Sequence, residues 1–258
     1  MESLVELLRN SGTSEQQALM LVLLLITLSL LLLFTSQARA GMRPSLRPIR
    51  AFDHLKELIG RGAETGQAIH VSLGTGGIAD SSAAESLAGV ALLEHIAAQS
   101  TASGAPLIVT VSDPTLLPLA QETTRQAWES RPNRYQSSEP EVRLIAPEPT
   151  AYAAGVMDIL VGENVAANIM VGRFGQEYLL MGETGVRSRV PQVAGAADPQ
   201  ALPFVYATAD EVLIGEEIYA SGAYLGSKAI HIASLRVQDW LRIVVSAVIL
   251  IGIVLSSL

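Results

Sequence analysis

With 258 residues, 49% of them hydrophobic and 16% charged, the chain is long enough for one domain of ordinary size plus membrane segments. A net charge of −8 argues against nucleic acid as a partner, because phosphate binding needs a basic face. There is no cysteine, which excludes disulfides, thiolate metal sites and thiol nucleophiles. The four histidines, His54, His70, His95 and His231, are too widely separated to show ligand spacing for a metal.

The first 17 residues are polar and slightly acidic, and Ala18 to Phe34 is then an unbroken apolar run. At 1.5 Å per residue that run spans about 25 Å, near the short limit for crossing a bilayer. Ala38-Arg39-Ala40 has the look of a signal-peptide cleavage site, but an acidic amino terminus and a long apolar run favour a retained anchor. Four arginines follow, Arg39, Arg43, Arg47 and Arg50, with no acid among them. Basic flanks stay on the cytoplasmic side, so the amino terminus is predicted outside and the main domain inside. At the other end Ile243 to Leu258 carries no charge, with Arg236, Trp240 and Arg242 on its inner flank. The two flanks agree: two spans in the plasma membrane, both termini outside, with the lipid bilayer as a partner. The expected division is residues 1–17 outside, a first transmembrane helix over 18–35, a basic linker and short helix over 36–64, a cytoplasmic domain over 65–232, and an amphipathic lead-in and second transmembrane helix over 233–258.

Within the linker, Phe52 to Ile59 has helical spacing and is predicted to end at Gly60. The body then alternates. Strands are predicted at Ile69–Leu73, Leu107–Val111, Val142–Ala146, Val190–Ala194 and Glu211–Ile214, and helices over 82–100, 115–130, 150–161 and from Pro199. Asn168–Val171 and Tyr178–Met181 are two further short apolar runs, and Arg131 to Pro140 reads as an exposed loop. Continuous apolar strands alternating with helices predict an α/β fold, a mostly parallel, Rossmann-like layered sheet. The helix over 82–100 is rich in Ala and Gly, suited to close packing on the sheet or on another subunit.

The strand at His70 leads into Gly74-Thr75-Gly76-Gly77-Ile78-Ala79, a loose form of the dinucleotide fingerprint, followed by Ser81 and Ser82 where a helix begins. Glycines there let backbone amides approach an anion, and a helix amino terminus favours one. The candidate ligand-binding set is Gly74, Thr75, Gly76, Gly77, Ser81 and Asp113, the last placed at the end of the second strand to hold a ribose hydroxyl. Asp113 stands 34 positions beyond Ala79, however, where about 20 is usual. The competing reading is a tight turn in which Ser81 or Ser82 caps the helix. Ser112-Asp113-Pro114 is echoed by Ala197-Asp198-Pro199, each with Asp placed as a helix amino-cap. Glu85, Glu148, Asp158, Glu216 and Glu217 also fall near element ends, where a cation or acid–base role is open, and Arg125, Arg173 and Arg187 are available for an anion. The residues name no cofactor and show no nucleophile elbow.

Several longer stretches carry a resemblance. Ile69-His-Val-Ser-Leu-Gly-Thr-Gly-Gly, Val109-Thr-Val-Ser-Asp-Pro-Thr-Leu-Leu-Pro-Leu-Ala, Ala151-Tyr-Ala-Ala-Gly-Val-Met-Asp, Ala197-Asp-Pro-Gln-Ala-Leu-Pro and Gly215-Glu-Glu-Ile-Tyr-Ala-Ser-Gly-Ala-Tyr-Leu-Gly occur in order. Over residues 65–240 they resemble a family of prokaryotic membrane-anchored proteins described only as a domain of unknown function. That resemblance implies no activity, cofactor or catalytic residue. The function expected is therefore a non-catalytic membrane protein that self-associates as a scaffold or serves as an accessory subunit beside other membrane proteins. A nucleotide- or anion-binding sensor or enzyme using the Gly74–Gly77 turn is the alternative.

Overall fold

The computed structural model describes residues 15–40, 47–130, 139–226 and 229–257. Most of the predicted polar amino terminus, Arg43 of the basic linker and most of the loop predicted over 131–140 lie outside them. The chain divides into two units, residues 47–226 and the two terminal segments.

In residues 47–226 a helix comes first: α2, Arg50–Thr65, numbered after the terminal helix α1 described below. Ala51, Phe52, Leu55, Leu58, Ile59 and Gly62 form its buried stripe at helical spacing. The predicted stop at Gly60 is wrong. The stripe runs on to Gly62, and the helix ends at Gly66, whose φ of 68° is the left-handed cap. There follow β1 (Ala68–Gly74), α3 (Ala83–Ser103), β2 (Leu107–Val111), α4 (Leu117–Glu129), β3 (Glu141–Leu144) and α5 (Pro149–Gly162). Next come β4 (Val165–Arg173), α6 (Tyr178–Arg187), β5 (Gln192–Ala196), α7 (Leu202–Thr208) and β6 (Glu211–Ile214). A 3₁₀ turn, Gly215–Ala220, and the short α8, Ser221–Tyr224, complete the unit. Of the two apolar runs, the one at Asn168 is the centre of β4, whereas Tyr178–Met181 is the first turn of α6.

All six strands are parallel, in the order β3-β2-β1-β4-β5-β6, and helices pack on the sheet. The chain is an α/β protein with the strand order of the doubly wound nucleotide-binding folds. Along β1 the side chains alternate between two buried layers. Ile69, Val71 and Leu73 are fully or almost fully buried, and the close approaches of Ile69 to Gly62 of α2 and of Leu73 to Gly89 of α3 place them on the α2/α3 side. His70 and Ser72 alternate with them and share the other side with Tyr152 of α5. Burying a side chain such as Ile69 or Leu73 contributes about 1.5–3 kcal/mol, so the central strands anchor the unit. The small residues of α3 serve the sheet: a Cβ on Gly89 would lie 2.5 Å from the Val171 carbonyl oxygen of β4.

The terminal segments form the other unit. The helix α1, Glu15–Arg39, has 25 residues and α9, Ala229–Ser257, has 29, about 37 and 43 Å at 1.5 Å per residue. Both are long and apolar enough to cross a membrane. They pack on each other through Phe34, Ala233 and Val237, and the Arg236 guanidinium lies 5.2 Å from the Phe34 ring centroid. Elsewhere their large apolar side chains are exposed, Met20, Leu24 and Leu32 on α1 and Ile243, Leu250 and Ile253 on α9 among them. The polar interruptions of α1 are satisfied within the helix: Thr27 donates to the Leu24 carbonyl at 2.9 Å and Ser29 to that of Leu25 at 2.8 Å. Such back-bonding lets a hydroxyl sit in an apolar span.

Candidate functional site

The strand order reverses between β1 and β4, which pair with each other while their crossover helices leave in opposite directions. At such a switch point the carboxyl ends of the strands open into a crevice where α/β proteins bind ligands. Here the two strands approach unusually closely. A Cβ on Gly74 would stand 2.1 Å from the Arg173 carbonyl oxygen, and one on Gly172 would stand 2.1 Å from that of Leu73. Both glycines have positive φ, 81° and 154°, so only glycine fits either position without strain.

The turn leaving β1 is held by its own neighbours. Thr75 N–H donates to the Arg173 carbonyl at 2.8 Å, Gly77 N–H to Ser82 Oγ at 3.1 Å and Ile78 N–H to Thr115 Oγ1 at 3.1 Å. Ser82 occupies the N-cap position of α3, yet its hydroxyl makes no cap bond and is instead tied to the turn and to Asp80 Oδ1 at 2.5 Å. Ser81 is exposed. Asp113, which follows β2, lies at the turn: its carboxyl carbon is 2.8 Å from where a Cβ on Gly77 would sit. It is not the amino-cap of α4, whose N-cap is Leu116. Its Oδ1 accepts from Thr115 N–H at 2.7 Å and also from the Thr115 hydroxyl, an aspartate turn one step before the helix. Asp198 makes the same turn with Gln200 N–H at 2.9 Å before α7.

Asp198 also meets Arg173, 2.8 Å from its guanidinium, and Glu85 of α3 approaches the same guanidinium at 3.6 Å. This Glu85–Arg173–Asp198 triad joins α3, β4 and the loop after β5 at the switch point. Both carboxylates are mostly buried, with side-chain exposures of 14% and 13%. Desolvation raises the Glu85 pKa above the usual carboxylate value, with Arg173 opposing. Burial and the nearby Glu85 push the Tyr219 hydroxyl up. Glu85 Oε2 and the hydroxyl of Ser86, a fully buried residue, have no hydrogen-bond partner among the described residues. The Ser86 oxygen faces the turn, 2.7 Å from where a Cβ on Gly76 would sit. Glu177 closes the other side, accepting from Gly175 N–H at 2.7 Å and from the Thr75 hydroxyl at 3.2 Å.

The remaining sequence candidates lie elsewhere. Glu148 caps α5 through Ala151 N–H at 2.6 Å, Glu217 pairs with Arg47, and Asp158 is exposed. Arg125 pairs with Glu122 and Glu129, and Arg187 with Glu183, each along its own helix face.

A second polar cluster, absent from the sequence expectations, crosses the sheet on the α5 side. Gln192 Nε2 donates to the carbonyls of Gly182 at 2.9 Å and Thr208 at 3.0 Å, so its Oε1 is the acceptor for Asn168 Nδ2 at 2.9 Å. Asn168 Oδ1 must then accept from His70 Nδ1 at 2.7 Å. The neutral imidazole therefore carries its proton on Nδ1, and Nε2 accepts from the Thr110 hydroxyl at 3.0 Å. Tyr152 donates to Thr110 Oγ1 at 2.9 Å, and Ser72 donates to the Tyr152 oxygen at 2.7 Å. Burial lowers the His70 pKa to about 4, the bond to Asn168 opposing. The signal for this ladder was present as polar residues at alternate positions inside otherwise apolar strands.

Fold and site together define a parallel α/β domain with a polar cluster at its switch point, carried on a chain with two membrane-length apolar helices. The chain belongs to the family described as a domain of unknown function (DUF6754), whose family model matches residues 9–258. That match extends beyond the 65–240 stretch of the shared motifs and takes in both apolar helices. No curated protein and no solved structure matches the chain.

Proposed function

We propose that the protein is a two-span protein of a prokaryotic plasma membrane whose α/β domain faces the cytoplasm and binds a small molecule in the switch-point crevice. The observation that carries the reading is the convergence of Glu85, Arg173 and Asp198 from three segments at the reversal of strand order, with a buried carboxylate oxygen of Glu85 left unpartnered. Buried polar groups are nearly always paired, and an open one in a cleft is what a ligand would satisfy. The test is native mass spectrometry of the intact protein released from detergent. Retained small-molecule mass that is lost in Arg173→Met supports the reading, and bare protein under all conditions counts against it. Orientation rests on the arginine flanks. Because the chain lacks cysteine, a single Gly60→Cys, at a position where the new Cβ meets nothing within 4 Å beyond its own helix backbone, reports it directly. The cysteine should resist a membrane-impermeant maleimide in intact cells and react after lysis.

A second reading, self-association as a scaffold or accessory subunit, draws on the far edge of the sheet. There Leu202, Pro203, Tyr206, Val212 and Ile214 line an apolar groove of about 470 Å³ between α7 and β6, and Tyr206 is 73% exposed. Light scattering of the detergent-solubilised chain should then give an oligomer that Tyr206→Glu dissociates. A monomer at all concentrations would sink this reading alone.

A further inference from the structure

The crevice presents an unequal set of groups. Asp80, Glu85, Asp113, Glu177 and Asp198 lie around it, and the cation that Glu85 and Asp198 meet is Arg173. The amides that a phosphate would take are already engaged: those of Thr75, Gly77 and Ile78 donate to Arg173, Ser82 and Thr115. A phosphate would therefore enter against several negative charges and find few free donors. A divalent cation is no better served, because among the described residues the carboxylates do not gather three to a metal-sized group. What remains open are an acceptor, Glu85 Oε2, and a buried hydroxyl able to donate or accept, Ser86 Oγ, which faces the turn at Gly76. Asp113 adds its carboxylate beside Gly77, with Oδ1 already committed to Thr115.

An open carboxylate oxygen takes a donor and an open hydroxyl takes either, and two adjacent ligand hydroxyls supply both, with Ser86 against Gly76 and Asp113 against the neighbouring Gly77. Building on the ligand-binding reading above, we propose that the crevice grips a phosphate-free vicinal diol, as in a nucleoside ribose or a free sugar. The diol hydroxyls donate to Glu85 and Asp113, and Ser86 donates to one of them. Ser86 Oγ lies sealed beneath the turn at Gly76 and Glu85 Oε2 is also buried, so the turn between Thr75 and Ile78 must lift to admit the ligand. Its two glycines and its exposed tip at Ile78 suit that motion.

The experiment is titration calorimetry, with unfolding midpoints in parallel, on the full detergent-solubilised chain. The probes are adenosine, ribose, 2′,3′-dideoxyadenosine and AMP. Adenosine or ribose should bind and raise the midpoint, and which of the two binds distinguishes nucleoside from free sugar. Dideoxyadenosine, which lacks both hydroxyls, and AMP, whose phosphate meets the carboxylates of the crevice, should each bind at least about tenfold more weakly, an effect of the order of one lost hydrogen bond in a buried site. Ser86→Ala should weaken the diol about tenfold with an unchanged midpoint of the free protein, since it removes a hydroxyl that has no partner. AMP binding as tightly as adenosine, or a diol indifferent to Ser86→Ala, overturns the diol assignment but leaves a ligand-binding crevice. So does a non-diol from a wider metabolite panel whose binding Arg173→Met abolishes. If no compound in the probe set or the panel shifts the midpoint, both readings fall together.

Discussion

Two polar clusters lie within one α/β domain, and their states of satisfaction differ. The ladder His70–Asn168–Gln192, continued through Thr110, Tyr152 and Ser72, is sealed in the interior, and its directed bonds close on main-chain carbonyls. The cluster Glu85–Arg173–Asp198 sits at the sheet's end with a half-exposed guanidinium, an unpartnered carboxylate oxygen and an unpartnered serine below it. A fully connected buried network specifies and rigidifies a core, whereas a partly connected one at a cleft is held ready for something else. On the function proposed above, the first cluster serves stability and the second recognition, and substitutions in each should separate along that line.

The largest effect belongs to the ladder. Asn168→Leu leaves His70 Nδ1–H and Gln192 Oε1 without partners in the interior, and chemical denaturation should show a loss of about 4 kcal/mol. A loss under about 1 kcal/mol would mean that the ladder is incidental. Next comes acid sensitivity. The folded pKa of His70, about 4, lies below its unfolded value of 6.5, so below pH 6.5 the unfolded chain binds the proton first. The stability present above pH 6.5 should be lost as pH falls to about 4, by about 3 kcal/mol at 1.36 kcal/mol per unit. His70→Gln should flatten that slope in unfolding curves taken across the range.

In the crevice the effects should be smaller. Arg173→Met removes the shared partner of two mostly buried carboxylates, but the guanidinium is 41% exposed and water screens its loss, so about 1 kcal/mol is expected in the same assay. Glu85→Gln is the least costly. With a folded pKa raised by burial, the ionised Glu85 opposes folding as pH rises above its unfolded value, so the glutamine variant should be at least as stable as wild type at pH 7. A clear destabilisation by Glu85→Gln would place this residue with the structural cluster.

Much of the architecture could be read from local pattern. The continuous apolar run Leu-Ile-Val-Thr-Val gave the bounds of β2 residue for residue, because a strand buried on both faces leaves little ambiguity, and Glu-Val-Leu-Ile gave those of the part-exposed edge strand β6. The parallel α/β class followed from alternation. The stop at Gly60 failed because a glycine in the last turns of an amphipathic helix looks like a cap until its packing is known, and the true cap is six residues on. The candidate site was half legible. Gly74, Gly76 and Gly77 stood out, and Asp113 does reach them despite its long separation in sequence. Glu85 and Asp198 were noticed only as acids near element ends, and Arg173 only as one of three available arginines.

The two aspartate turns show where the boundary falls. Asp-Pro followed two residues on by a free N–H is enough to form the turn at both Asp113 and Asp198, since the aspartate bonds its own backbone and proline fixes the next φ. What each carboxylate then meets is a matter of strand order. Asp113 follows β2 and lies against the glycine turn, whereas Asp198 follows β5 and lies against Arg173. The sequence by itself determined the membrane-length helices, the strands and the turns, because these depend on hydrophobic period and on contacts a few residues apart. Only the tertiary structure decided that a parallel sheet reversing between β1 and β4 would draw Glu85, Arg173 and Asp198 to one place. It also decided that five polar strand and helix residues would close a ladder with His70, because both sets are contacts across the sheet that local spacing does not encode.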